Sequence, residues 1–137
     1  MKFFICLICF LFSINAFARN LIISTQNSVH IFKTDIASTA AQQEQGLMYK
    51  KNIPSNYAMT FLFEKTKIIR MWMKNTFIPL DMIFFNENGF ITKIKENAIP
   101  HDLTVISSEI PSIGVVEINA GLVHQKNIQV GDKIVLQ

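Results

Sequence analysis

The chain has 137 residues, half of them hydrophobic, and a formal net charge of +3. That length fits one compact domain with a core large enough to need no staples. The Lys and Arg residues are spread along the chain rather than clustered, which gives no support to the basic face that nucleic-acid binding demands.

The N-terminus carries Lys2, an unbroken apolar run from Phe3 to Phe12, and the small-x-small triplet Ala16-Phe17-Ala18. This is the layout of a secretory signal peptide cleaved after Ala18. The run is shorter than the roughly 20 apolar residues of a membrane span. Residues 1–18 are therefore expected to be removed, the alternative being an uncleaved anchor, leaving 19–137 as a single soluble β-rich domain, periplasmic or secreted. Both cysteines, Cys6 and Cys9, fall in the apolar run. The domain is thus expected to have no disulfide and no thiol nucleophile.

Leu21 to Ile23 and Val29 to Thr34 read as a hairpin around Gln26-Asn27-Ser28. Ser38 is the expected N-cap of a short helix that Gly46 ends. Ala58 to Phe63 is a strand, Glu64 to Lys67 a turn, and Ile68 to Met73 a second strand. Pro79 makes Asn75 to Pro79 a bend, because it lacks a ladder donor and restricts Ile78. Leu80 to Phe85 is a strand, and Asn88-Gly89 supplies the positive φ of a hairpin to Phe90–Lys95. Val105-Ile106 is a brief edge strand and Val115 to Ile118 a longer one. Ala120 to Lys126 is a short helix capped by Asn119, and Lys133 to Leu136 a last strand. Many short strands separated by turns predict a mainly β (α+β) fold, a small antiparallel barrel or half-barrel with two short helices.

Polar chemistry concentrates between Arg70 and Asp81, around the only Trp. Strand alternation puts Met71 and Met73 on one face, with Arg70, Trp72 and Lys74 on the other. An indole flanked by cations suits stacking on a sugar or a planar group, and Lys74 and Asn75 suit anionic or hydroxyl-rich ligands. Against this stands a Trp72 that is simply a core residue. Asp81 opens a strand, where Asp is depleted. It either caps the nearby bend or pairs with Lys74 or Arg70, or it serves a ligand. Glu117 interrupts the apolar run V-V-E-I. It is either sheet surface or an inward carboxylate that needs a partner. His30, His101 and His124 lack metal-ligand spacing, and no metal or cofactor is expected. There is no G-x-S-x-G, no H-E-x-x-H and no phosphate-cradling Gly loop.

Gly46-Leu47-Met48, Met59-x-Phe61-x-Phe63, the string W-M-K-N-T-x-I-P-L-D from Trp72 to Asp81, Glu117-x-x-Ala120-Gly121 and Gly131-Asp132 occur in one order. In this the chain resembles the domain of unknown function family 192, also called uncharacterised protein family 0127, from about Asn20 to Leu136. The resemblance implies a small β-rich, barrel-like domain, often exported, with no established activity. Its recurrent polar positions fall here on Trp72, Lys74, Asn75, Thr76, Asp81 and Glu117. The chain departs from the family in having Gln45 where an Arg usually precedes Gly-Leu-Met, Met71 where an aromatic is common, and Asn119 where a Pro usually precedes Ala-Gly.

Three functions are compatible with these residues. A binding or accessory module would use Arg70, Trp72, Lys74, Asn75, Thr76, Asp81 and Glu117 to hold a small polar ligand, a glycan or a partner segment. A cell-envelope hydrolase or lyase would use Asp81 and Glu117 as acid and base, and requires both in one cleft. A structural domain would use the string only to fix its bend. The absence of a recognisable nucleophile tilts the reading away from an enzyme. The expected partner is a small ligand, with neither nucleic acid nor membrane engaged after cleavage, and the domain is expected to be monomeric.

Overall fold

The computed structural model describes residues 19–137, so the signal-peptide and Cys6/Cys9 readings lie outside the described residues. The elements are β1 (Arg19–Ser24), β2 (Val29–Ala37), α1 (Ala40–Gln45), β3 (Tyr57–Lys67), β4 (Arg70–Met71), β5 (Leu80–Phe85), β6 (Ile91–Ala98), β7 (Ile106–Ser107), β8 (Ser112–Asn119), α2 (Leu122–Gln125) and β9 (Lys133–Leu136). Seven strands form one sheet in the order β6-β5-β8-β3-β2-β1-β9, and β4 and β7 make a separate ribbon.

The sheet curls into a half-barrel because its two ends meet. Phe90 bridges Lys133, and the Ile134 amide donates to the Gly89 carbonyl at 2.7 Å. Gly89 is required there: its φ is +82°, and a Cβ would lie 2.5 Å from the Ile134 carbonyl oxygen. Inside the curl, Leu21, Ile23 and Phe32 from one end pack with Ile83, Phe85 and Ile91 from the other. Leu122 and Val123 of α2 join the same cluster. A second cluster covers the outer face of the central strands, where Phe61, Met82, Phe84 and Val115 pack under Leu47, Ile69, Met73 and Ile78. β5 is consequently buried along its whole length.

The half-barrel with two short helices is the fold expected, with several local corrections. β2 and β3 pair in parallel, because the connection between them carries α1 and returns the chain in the same direction. Thr39, not Ser38, is the N-cap. It closes a capping box with Gln42, whose side chain reaches back to the cap amide. Residues Glu64 to Lys67 extend β3 rather than turning. The strand expected over Ile68–Met73 keeps ladder pairing only at Arg70 and Met71. α2 begins later than expected, after Gly121 at φ +92°. The Asn119 amide instead donates to the carbonyls of Ile53 and Pro54.

Candidate functional site

The segment from Trp72 to Pro79 is a tight, backbone-bonded turn. Asn75 adopts φ +52°, and its carbonyl accepts from the Tyr49 amide at 2.9 Å. The Asn75 side-chain amide donates to the Tyr49 hydroxyl at 3.0 Å. The Thr76 hydroxyl donates to the Lys74 carbonyl at 3.1 Å. Asn75 and Thr76 thus hold the bend itself, the structural role that short polar residues near a Pro are suited to.

Alternation along this segment holds even where the ladder does not. Met73 is buried and Met71 packs against the outer cluster, while Arg70, Trp72 and Lys74 face outward. Trp72 is 46% exposed and so is not a core residue. The Lys74 ammonium lies 5.0 Å from its ring centroid, close enough for a cation–π contact.

Asp81 is fully buried and points into the curl, on the side of Ile83 and Phe85. One carboxylate oxygen accepts the Asn97 amide at 2.9 Å. The other accepts the Gly121 and Val123 amides, each at 3.0 Å. Asn97 sits at φ +53°, where the β5–β6 register slips between Leu80 and Met82. Asp81 therefore fixes a bulge in β6 and caps α2, a helix whose own N-cap is a glycine without a side chain. The expectation that it caps the 75–79 bend, or pairs with Lys74 or Arg70, is corrected: its partners are three distant amides.

Glu117 lies on the other face of β8, with Met82 on one side and Met59 on the other in register. It is 4% exposed, and no hydrogen bond or ion pair reaches its carboxylate among the described residues. Burial pushes its pKa up to about 8. The carboxylate lines a cavity of about 220 Å³ formed where the end of α1 passes over β4. Phe61, Leu47, Met48, Arg70, Trp72 and Thr76 line the same cavity. Gly46 ends α1 at φ +46°, where a Cβ would lie 2.8 Å from the Phe61 ring. The Gln43 side chain pins the helix by donating to the Ala37 and Leu62 carbonyls.

A second, shallower hollow adjoins the first. It shares Glu44, Gln45, Met48 and Trp72 with it and extends past Lys74 and Asn75 to Tyr49. Tyr49 is braced edge-on by Phe77, with ring centroids 6.1 Å apart.

The structure thus brings Arg70, Trp72, Thr76 and Glu117 to one cavity and Lys74 and Asn75 to its neighbour, and leaves Asp81 outside both. Asp81 and Glu117 share no cleft, because they leave the sheet by opposite faces. Sequence reasoning missed the α1 contribution, Gln43 to Met48. Its signal was the Gly46-Leu47-Met48 triplet, read there as a helix stop and as part of the family pattern, not as a wall of a cavity.

Comparison with known proteins agrees with this architecture. A crystal structure of a proposed transcription regulator from Sinorhizobium meliloti 1021 is 37% identical, with a TM-score of 0.84 over 87% of this chain and 94% of that one. A protein of unknown function from Novosphingobium aromaticivorans DSM 12444 is 34% identical, with a TM-score of 0.83 over 85% of this chain and 83% of that one. No functionally curated protein matches. The model of domain of unknown function family 192, described as an uncharacterized ACR, matches residues 21–136. The chain belongs to that family.

Proposed function

We propose that this domain is an exported binding module, periplasmic or secreted, whose cavity beside Trp72 takes a small polar ligand. One observation carries the reading. Glu117 is a buried carboxyl group that lines an open cavity and has no hydrogen bond or ion pair among the described residues. A carboxyl group that only stabilised the fold would be hydrogen-bonded, as Asp81 is; an unpaired one is a cost that a ligand can relieve.

A hydrolase or lyase using Asp81 and Glu117 as a carboxylate pair loses its geometry, since the sheet separates them. A purely structural role for the Trp72–Asp81 string accounts for Asn75, Thr76 and Asp81. It gives no account of the exposed Trp72 or of Glu117. The reading takes the domain as monomeric, without a nucleic-acid partner and free of the membrane after cleavage.

The test is a thermal-shift screen of the protein against sugars, peptidoglycan fragments, nucleotides, amines and anions. A ligand at 100 times its Kd adds about 2.7 kcal/mol of stability. Trp72→Ala should abolish the shift while leaving the unliganded melting temperature near that of the wild type. Equal loss of folding in Trp72→Ala and Arg70→Ala would instead make these residues structural and end the proposal.

A further inference from the structure

We infer that the cavity beside Trp72 selects ligands bearing an alkyl-ammonium or alkyl-guanidinium group, and seats that cation on the Glu117 carboxylate. The inference deepens the ligand-binding reading and rests on it. Among the described residues, three charged side chains line the cavity: Glu44, Arg70 and Glu117. Glu44 and Arg70 are exposed, so the only charge-bearing group at depth is an acid. Its surroundings are apolar and soft. Phe61, Leu47 and Met48 line the same space, and Met59 and Met82 flank Glu117 in register. Such a sleeve suits a short hydrocarbon arm, and the exposed indole at its edge suits the passage of a cation.

A volume of about 220 Å³ equals that of about seven liquid waters, enough for a short arm with a charged head. Arg70 lines the same cavity, is exposed, and suits the polar or anionic end of the same molecule. The preference follows from cost. An ionised Glu117 without a partner is unfavourable at this depth, and a cation brought within hydrogen-bond distance removes that penalty. The other titratable groups facing Glu117 are few. Tyr57 on β3 contacts its field but is committed to Asp35, to which its hydroxyl donates at 2.8 Å. Arg70 on β4 and Glu44 on α1 stand at the mouth. β5 presents only Met82.

The experiment titrates the protein with four probes of matched length: pentylamine, pentylguanidine, 1-pentanol and pentanoate. Binding is read by calorimetry and by Trp72 fluorescence, at pH 6.5 and pH 8.5. One or both cations should bind and shift the fluorescence, and the two separate ammonium from guanidinium selectivity. Pentanol and pentanoate should bind at least tenfold more weakly. Cation affinity should rise by roughly an order of magnitude from pH 6.5 to 8.5, because only the ionised fraction of Glu117 is competent and its pKa is about 8. Glu117→Gln should lose cation binding and its pH dependence together.

Pentanol or pentanoate binding as tightly as the amine would overturn the inference. So would cation affinity that stays flat or falls as pH rises, since a cation seated on the carboxylate must gain affinity as Glu117 ionises. Should Glu117→Gln fail to fold, the pH profile of the wild type decides. If a non-cationic ligand from the thermal-shift screen binds and moves Trp72, the binding reading stands and this inference alone fails. If neither the screen nor these probes give a response, both fail.

Discussion

Asp81 and Glu117 stand on adjacent strands of one ladder, Asp81 opposite Ile118 and Glu117 opposite Met82, yet they leave the sheet by opposite faces. The one-residue offset decides their chemistry. Asp81 falls on the interior face, where the ends of β6 and α2 supply three amides. Glu117 falls on the outer face, where α1 and β4 leave a gap. Two carboxyl groups of similar burial thus differ in their partners, one bonded to three backbone amides and one without a hydrogen bond among the described residues.

Asp81→Ala should be among the most damaging single changes in the domain. It removes the acceptor of three amide donors, of Asn97, Gly121 and Val123, the last of them buried. Each stranded group costs about 1–3 kcal/mol, so a total of about 3 kcal/mol or more is expected. Asp81→Asn should cost less, since its carbonyl oxygen still accepts. Urea denaturation gives both values. A loss below about 1 kcal/mol for the alanine variant would mean that the three bonds do not hold the bulge and α2.

Gly89→Ala should open the barrel seam. The added methyl group meets the Ile134 carbonyl, and φ +82° is itself unfavourable for alanine. A loss of about 2 kcal/mol or more is expected, with faster amide exchange at Ile134 and Ile91. Gly131→Ala is the control. It has a similar φ of +96° but open space around it, so it should cost only about 1 kcal/mol of backbone strain. Equal effects at the two positions would show that the seam contact contributes nothing.

Glu117 should give the protein an unusual pH dependence. Its folded pKa of about 8 lies above the ordinary value of 4.5. The folded state therefore holds the proton that the unfolded state releases, so stability is greatest below about pH 4.5 as far as this group is concerned. It is then lost as pH rises towards 8 and levels off above that. The loss is on the order of a few kcal/mol. Glu117→Gln should remove this slope and be more stable than the wild type at pH 8.5. Urea midpoints at pH 5 and pH 8.5 for both proteins check it, and parallel profiles would place the proton elsewhere.

How far the sequence predicted the structure depends on the range of the interactions involved. The bounds of β5 and β9 follow from local pattern and turn chemistry, and so does the end of α1 at Gly46. Alternation correctly sorted Met71 and Met73 from Arg70, Trp72 and Lys74. The partners of Asp81 lie 16, 40 and 42 residues away, beyond any periodicity. The parallel pairing of β2 and β3 escaped notice because α1 is only a turn and a half long and the intervening segment reads as loop. Glu117 was ambiguous because β8 is covered on both faces, so the run V-V-E-I has no exposed side to mark the inward one.

Gln45→Arg should separate the roles of this cavity in one substitution. Gln45 and Glu117 line the same space. The Gln45 side chain is exposed and makes no hydrogen bond among the described residues. It also occupies the position at which family members usually carry Arg. A guanidinium there can fork the Glu117 carboxylate with two charge-assisted bonds. The carboxyl group would then ionise well below pH 8, the stability slope between pH 4.5 and 8 would flatten, and stability at pH 8.5 would rise by about 1 kcal/mol or more. The same bond would occupy the seat proposed for a ligand cation, so pentylamine affinity should drop at least tenfold. Stability and binding would therefore move in opposite directions. A variant that keeps the wild-type pH slope and still binds pentylamine would show that position 45 does not reach Glu117. One that gains stability yet still binds the amine would place the cation somewhere other than on Glu117.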